Sequence, residues 1–124
     1  MRLDKLVKAT VAALEDIKGR DIVVIDVRKM TSLFDKIVIA TADSTRQAAS
    51  LSRNVQEKLK AAGAKVFGVE GERVAEWILV DLGPVVVHIM QAAVRQHYNL
   101  EELWTPPRTT RRRTRAVSEV AENR

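Results

Sequence analysis

The sequence WILVDLGPVVVHIM at residues 77–90 sets the architecture of this chain. It consists of two apolar runs joined by Gly83-Pro84, a dipeptide typical of turns. Each run is too short for a helix of ordinary length but suits a strand of about five or six residues. The pattern therefore predicts an antiparallel hairpin. Because the runs are apolar on both faces, we expect the hairpin to lie inside a sheet that is covered on each side.

Two amphipathic helices are predicted before this hairpin. Apolar residues recur at steps of three and four over residues 2–17 and again over residues 44–62. Gly19 is expected to end the first helix as a left-handed cap. The start of the second helix, STRQ at residues 44–47, has the form of a capping box, with Asp43 as a competing cap for the same helix.

The remaining elements complete a layered domain. Further strands are predicted at residues 21–27, 36–41 and 65–69, and a short last helix at residues 91–97, with residues 98–104 packed as its end. The first of these strands is mostly β-branched, so we expect it to be buried and paired with the second as a hairpin. The order α-β-β-α-β-β-β-α predicts one α/β domain over residues 1–104, with a mixed five-stranded sheet and flanking helices.

Composition narrows the functional classes. The chain has 124 residues and no cysteine, which excludes a disulfide framework and a thiolate metal site and is compatible with the cytoplasm, where we expect the protein to act. No apolar run approaches the roughly 18 residues of a membrane helix. Of the net charge of +5, four charges belong to residues 105–124, where six arginines accompany two glutamates. We expect this basic tail to be disordered, because its apolar content is too low to offset the cost of ordering it.

The residues give little support to catalysis. Asp26 and Asp35 could hold magnesium for nucleotidyl transfer, but there is no phosphate-binding glycine loop and no Asp-x-Asp pair. A metal site needs about three or four ligands, and His88 and His97 have no cysteine to join them. His88 lies in an apolar strand, which favours a hydrogen-bonded buried imidazole. We expect no cofactor and no metal.

Binding is the better-supported class. Trp77 opens a strand after a polar link, and exposed tryptophans often anchor protein interfaces. The sequence leaves open whether Trp77 is such an anchor or part of the core. The arginine-rich tail could contact RNA through its phosphates, although the aromatic residues of a base-stacking surface are missing.

Several motifs together resemble the ribosomal silencing factor (iojap) family. They cover residues 1–104 in order: the strands at 21–27 and 34–41, the helix start at 44–47, the blocks VEGE at 69–72 and EWILVDLG at 76–83, VVHIM at 86–90, Arg95, Tyr98 and LEELW at 100–104. Two positions depart from the family pattern. Ala42-Asp43 stands where a glycine is usual, and Pro84 where an aspartate is common.

The resemblance implies a fold and a function. The fold would be a nucleotidyltransferase-like mixed sheet without the catalytic motif. The function would be repression of translation, by binding the large ribosomal subunit through large-subunit ribosomal protein fourteen and blocking the small subunit from joining. Family members can be homodimers away from the ribosome. The contact role is carried over to Trp77 first, and then to Asp81, Glu70 and Gly71.

Overall fold

The computed structural model describes residues 1–104, and the expected disordered tail at 105–124 lies outside the described residues. The helices are α1 (Leu3–Asp16), α2 (Thr45–Ala61), α3 (Ala92–Tyr98) and the single turn α4 (Leu100–Leu103). The strands are β1 (Arg20–Asp26), β2 (Lys36–Ala42), β3 (Gly68–Glu70), β4 (Trp77–Asp81) and β5 (Val85–Gln91). Of the predicted elements, the strand at 65–69 differs most, since β3 has three residues and only Gly68 and Val69 of the predicted range belong to it.

The five strands form one mixed sheet in the order β1-β2-β5-β4-β3. Only β2 and β5 are parallel, and the other three pairs are antiparallel. The hairpin predicted at the Gly83-Pro84 turn is confirmed, because Trp77 lies opposite Met90 and Asp81 lies opposite Val86. The fold class expected from the sequence is therefore confirmed.

The two faces of the sheet are covered unequally. Helices α1 and α2 cover the inner face, where Leu14, Leu51 and Leu59 are fully buried against alternate residues of β2, β4 and β5. On the outer face, α3, α4 and the segment before β2 form a smaller core. Its members are Val27, Ile37, Ile39, Met90 and Leu100, with Phe34 and Trp104 packed against them.

The smaller outer core leaves β4 partly uncovered. Every residue of β5 except Gln91 is buried, as expected for a strand covered on both sides. In β4 only the inner residues Ile78 and Val80 are buried, whereas Trp77, Leu79 and Asp81 are half-buried on the outer face. The expectation that both strands of the hairpin would be covered on each side is therefore wrong for β4.

Two expectations near the N-terminus are also wrong. Strand β1 is not buried, because it forms one edge of the sheet and no residue of it is fully buried. Gly19 is not the left-handed residue after α1, since Lys18 adopts that conformation with φ of 64°. A side chain at Gly19 would lie 3.1 Å from the Leu14 carbonyl oxygen and 3.2 Å from Leu51 Cδ2. The glycine therefore allows close packing between the end of α1 and α2.

The capping box at α2 is confirmed, except that the Gln47 side chain bonds to the backbone N–H of Asp43 and not to that of Ser44. The Ser44 hydroxyl accepts from the Gln47 backbone N–H at 3.0 Å, so Ser44 rather than Asp43 is the cap. The Gln47 side-chain oxygen accepts from the Asp43 N–H, and its amide nitrogen donates to the Ile17 and Lys18 carbonyls. One glutamine thus joins the start of α2 to the end of α1.

A buried arginine joins the C-terminal helices to the sheet. The Arg95 guanidinium is 9% exposed and donates from Nη1 to the Asp21 carbonyl at 2.6 Å and to Thr41 Oγ1 at 2.8 Å. Its Nη2 lies 2.8 Å from Glu101 Oε2, and this hydrogen bond lowers the pKa of the Glu101 carboxyl. Arg95 therefore joins α3 and α4 to the start of β1 and to β2.

We predict that Arg95→Leu lowers the free energy of unfolding by roughly 2 kcal/mol, because buried acceptors lose a charged donor. Arg53→Leu is the matched control, since Arg53 is exposed on α2. Urea unfolding of both variants measures the difference. Equal stability of the two variants would contradict a structural role for the Arg95 contacts.

Candidate partner-binding surface

The outer residues of β4 form the candidate surface. Trp77, Leu79 and Asp81 alternate with the buried residues Ile78 and Val80, so the pleat of the strand directs them away from α1 and α2. Strand β3 lies beyond β4 at the edge of the sheet and places Glu70 opposite Leu79. We call the outer-face residues Glu70, Gly71, Trp77, Leu79 and Asp81 the β4 surface.

Three of the four residues expected at a contact site lie together. Glu70, Gly71 and Trp77 line one shallow depression of about 260 Å³, and Leu79 is the fourth residue that lines it. Asp81 lies on the same face at the far end of β4, about 13 Å along the strand from Trp77 at the usual rise per residue. The structure therefore places Asp81 beside the depression but not in it.

The backbone at Gly71 gives the depression its shape. Gly71 has φ of 87°, and a Cβ atom there would lie 2.1 Å from the Trp77 carbonyl oxygen. Its own carbonyl accepts from the Ala75 N–H at 2.9 Å, which closes a turn before β4. Only glycine allows the 71–76 link to pass this close to the start of β4.

Trp77 packs against neighbouring rings and is half-buried, so it is neither fully in the core nor fully exposed. Its role as the anchor of a partner stays a prediction. Its indole N–H donates to His88 Nδ1 at 2.9 Å, and its ring centroid is 5.0 Å from that of Tyr98. The side chain is half-buried at the margin of the outer core. The hydrogen bond and the ring contact hold the indole in one orientation while part of it remains accessible.

His88 is the buried imidazole that the sequence favoured. It is 8% exposed, and loss of hydration on burial lowers its pKa to about 4. The imidazole is therefore neutral at pH 7. Because Nδ1 accepts the hydrogen bond from Trp77, the proton of the neutral ring is assigned to Nε2.

The β4 surface carries negative charge. Its two charged residues, Glu70 and Asp81, are both acidic. Glu72 accepts hydrogen bonds from Ser52 and Gln56 of α2, so its carboxylate lies on the inner side of the sheet and does not belong to this surface. Asp81 Oδ1 accepts from the Gly83 N–H at 2.8 Å and so stabilises the hairpin turn. Within residues 1–104 the Asp81 carboxylate forms no salt bridge. A partner seated on this surface would meet an aromatic ring with one carboxylate, Glu70, beside it and a second, Asp81, about 13 Å along the strand.

Asp26, one of the carboxylates considered for magnesium binding, lies in a cluster of ion pairs. The Asp26 carboxylate accepts hydrogen bonds from Arg28, which hold its pKa far below the usual range, and it lies 3.3 Å from Lys36 Nζ. No group of three or more His, Asp or Glu side chains in the described part of the chain is arranged to hold a metal ion.

Membrane insertion through a helix finds no support either, because every helix described over residues 1–104 is too short or too polar to span a bilayer.

Sequence reasoning missed two residues of this region. The sequence prediction places Leu79 only within a strand, although alternation along β4 identifies it as an outer residue. Tyr98 was assigned to packing, yet it is 56% exposed and contacts both Trp77 and His97. Its exposure could not be read from the sequence, because it depends on how far α3 covers the outer face.

Comparisons with known proteins agree on one family. The model of the family described as ribosomal silencing factor during starvation matches residues 1–124. The chain is 50% identical over 104 residues to a ribosomal silencing factor of Chromobacterium violaceum, covering 84% of this chain and 85% of that protein. It is 44% identical over 99 residues to the ribosomal silencing factor of Haemophilus influenzae, covering 80% of this chain and 97% of the other.

A solved structure extends the agreement to the fold. The crystal structure of a Chromobacterium violaceum protein superposes with a TM-score of 0.83 at 45% identity. It covers 95% of this chain and 98% of the other. The mixed sheet and its helices are therefore the fold of solved relatives at high sequence similarity.

We predict that acid lowers stability through His88. The folded-state pKa is lowered from 6.5 to about 4, so the unfolded chain binds the proton first and stability falls as the pH drops between these values. Between pH 7 and pH 5 the loss from this group is about 2 kcal/mol. Urea unfolding at the two pH values measures it.

His88→Gln is the control, because glutamine keeps an acceptor for the Trp77 indole and does not titrate. This variant is expected to lose most of the pH dependence between pH 7 and pH 5. If it shows the same drop as the original chain, another group causes the acid sensitivity.

Proposed function

This chain belongs to the ribosomal silencing factor family, and we propose that it represses translation by binding the large ribosomal subunit and preventing the small subunit from joining. Family membership supports a ribosome-associated regulator of translation. The finer steps of the proposal, namely the docking site and the steric block, are argued from the β4 surface.

The observation that carries the proposal is the fixed, partly exposed Trp77. Tryptophan is prominent among residues that dominate binding energy at interfaces. The hydrogen bond to His88 and the contact with Tyr98 order the indole before a partner arrives, so little side-chain entropy remains to be lost on docking. The depression formed with Glu70 and Gly71 offers a recess for a partner side chain.

The charge of the surface suggests the chemistry of the partner. The carboxylates of Glu70 and Asp81 on the β4 surface favour a basic protein surface and would repel exposed phosphate groups. We assign this contact to large-subunit ribosomal protein fourteen, with Trp77 as the anchor and Asp81, Glu70 and Gly71 as its neighbours. The ribosome is rich in phosphate, so an acidic contact surface selects protein over rRNA.

Steric exclusion needs no reaction. A folded body of 104 residues has a radius of gyration of about 13 Å, so it is large enough to occupy the space in which two subunits meet. An interface of roughly 1,600 Å² in total would hold it there. The proposal therefore assigns no catalytic residue, and it places the protein in the cytoplasm, where a homodimer can form away from the ribosome.

We predict that Trp77→Ala weakens binding to isolated large subunits by about 2 kcal/mol or more, which is roughly 30-fold. Co-sedimentation with large and small subunits measures this, and binding is expected for the large subunit alone. Glu70→Lys is expected to weaken binding as well, because it reverses a charge at the rim of the depression.

Two controls separate docking from folding. Glu57→Lys makes the same charge change on the exposed side of α2, away from the β4 surface, and should bind normally. Melting temperatures of all variants report the fold. If Trp77→Ala loses stability but the protein that remains folded binds normally, Trp77 is only a packing residue. Co-sedimentation of the original chain with neither subunit would refute the proposed function itself.

A further inference from the structure

A second surface lies at the β1 edge of the sheet, whereas the β4 surface lies near the β3 edge. There α1 overhangs β1, and the two elements enclose a groove of about 680 Å³. Its apolar residues are Leu3 and Val7 from α1 and Val24 from β1, and Val24 is 41% exposed. The groove is separated from the β4 surface by strands β2 and β5.

The outer edge of β1 has free backbone groups. The Val27 N–H donates to the Asp35 carbonyl next to β2 at 3.0 Å. Because backbone direction alternates along an antiparallel strand, Val23 and Ile25 face β2 as Val27 does. The N–H and C=O groups of Val24 and Asp26 therefore face outward, and β1 pairs with no other strand in residues 1–104.

The free edge is regular over a short length only. The pairing with β2 shifts register between Arg20 and Val23, and it is continuous from Val23 to Asp26. Four residues of strand span about 13 Å. An added strand could therefore pair with about four residues before the irregular part begins.

The charges around the groove are mostly positive. The cations are Arg2, Lys8, Arg28 and Lys36, and the nearby anions are Asp4, Asp26 and Asp35, the last of which acts on Arg28. The anions leave an excess of one positive charge at this edge. Arg2, Arg28 and Lys36 pair with Asp4 or Asp26, so Lys8 is the lining cation that forms no ion pair in the described part of the chain.

We propose that the α1–β1 groove binds an extended acidic peptide segment of a partner protein, which adds to β1 as a sixth strand. Its backbone pairs with the outward groups of Val24 and Asp26, as in other cases of strand addition. An apolar side chain on the groove side packs against Val24, Leu3 and Val7. Carboxylates on either side of it meet Lys8 on α1, Arg2 just before α1, or Arg28 just after β1.

Two other occupants fit less well. RNA would gain from the cations, but it has no use for a free strand edge or an apolar floor, and the groove contains no aromatic residue for base stacking. A second copy paired through β1 would bring two positively charged edges together. An acidic peptide matches the backbone, the apolar floor and the charge at once.

The test uses the full chain and a fluorescent peptide of sequence Glu-Thr-Val-Thr-Glu with capped ends. In a strand, its valine and both glutamates share one face. Two further peptides carry N-methyl groups, one on the amides of one strand edge and one on those of the other edge. Only one edge of an added strand pairs with β1, so one methylation pattern should weaken binding at least tenfold and the other should not.

Variants of the protein test the same groove. Val24→Pro removes an outward N–H, and proline is tolerated on the free side of an edge strand. It should weaken peptide binding at least fivefold, as should Lys8→Glu at low salt. Lys60→Glu on the exposed side of α2 is the matched control and should bind normally. The arginines of residues 105–124 are unchanged in all variants, so any binding there is the same throughout.

The outcomes that overturn the proposal are distinct. Equal affinity for both methylated peptides, or equal loss with both, would exclude strand addition. A single-stranded RNA oligonucleotide that binds more tightly than the peptide and depends equally on Lys8 would assign the groove to RNA. Failure of the peptide to bind, together with a dimer that Val24→Pro dissociates in sedimentation, would assign the edge to a second copy. None of these results depends on ribosome binding.

Discussion

Strand β5 is apolar on both faces and must be covered on both. The rest of the fold follows from the fact that one face is covered by two long helices and the other by two short ones. Six of its seven residues are buried, and it pairs with β2 on one side and β4 on the other. The long helices α1 and α2 cover most of the inner face and leave Val24 of β1 partly exposed. The outer face depends on two short helices and a few aromatic side chains, which reach β1, β2 and β5 but not the whole of β4. The exposed part of β4 is a consequence of that unequal division.

The same division explains why Trp77 and His88 are linked. His88 belongs to the central strand and is buried, so its imidazole needs a polar partner that does not require charge. The neighbouring strand supplies the Trp77 indole N–H, which satisfies Nδ1 and fixes the ring at the border of the outer core. The buried imidazole of His88 is thus satisfied by Trp77, the side chain most suited to anchor a partner. A change at His88 that removes the acceptor is therefore expected to alter the orientation of Trp77.

The sequence predicted what depends on local pattern and missed what depends on the order of strands. The hairpin at Gly83-Pro84 and the cap at Ser44 rest on short-range signals, and both are confirmed. The burial of β1 was predicted wrongly, because a β-branched run looks the same at an edge as in the centre of a sheet. At the β4 surface, Trp77 can be identified from its place at the start of a strand after a polar link, whereas Glu70 and Gly71 follow only from the resemblance to a family. The resemblance could not give the distance that separates Asp81 from the depression.

The β4 surface and the β1 edge differ in charge, and this difference bears on how the steric block that we propose could be oriented. The β4 surface is acidic and aromatic, whereas the β1 edge is basic with free backbone groups. Surfaces of opposite sign on one body orient it as it approaches a charged partner, because the field acts before contact is made. A protein that acts by occupying space needs orientation more than chemistry, since a body bound the wrong way round blocks nothing. Under the proposed function, the separation of the acidic β4 surface from the basic β1 edge would favour that orientation, and the apolar core between them keeps the two charges apart.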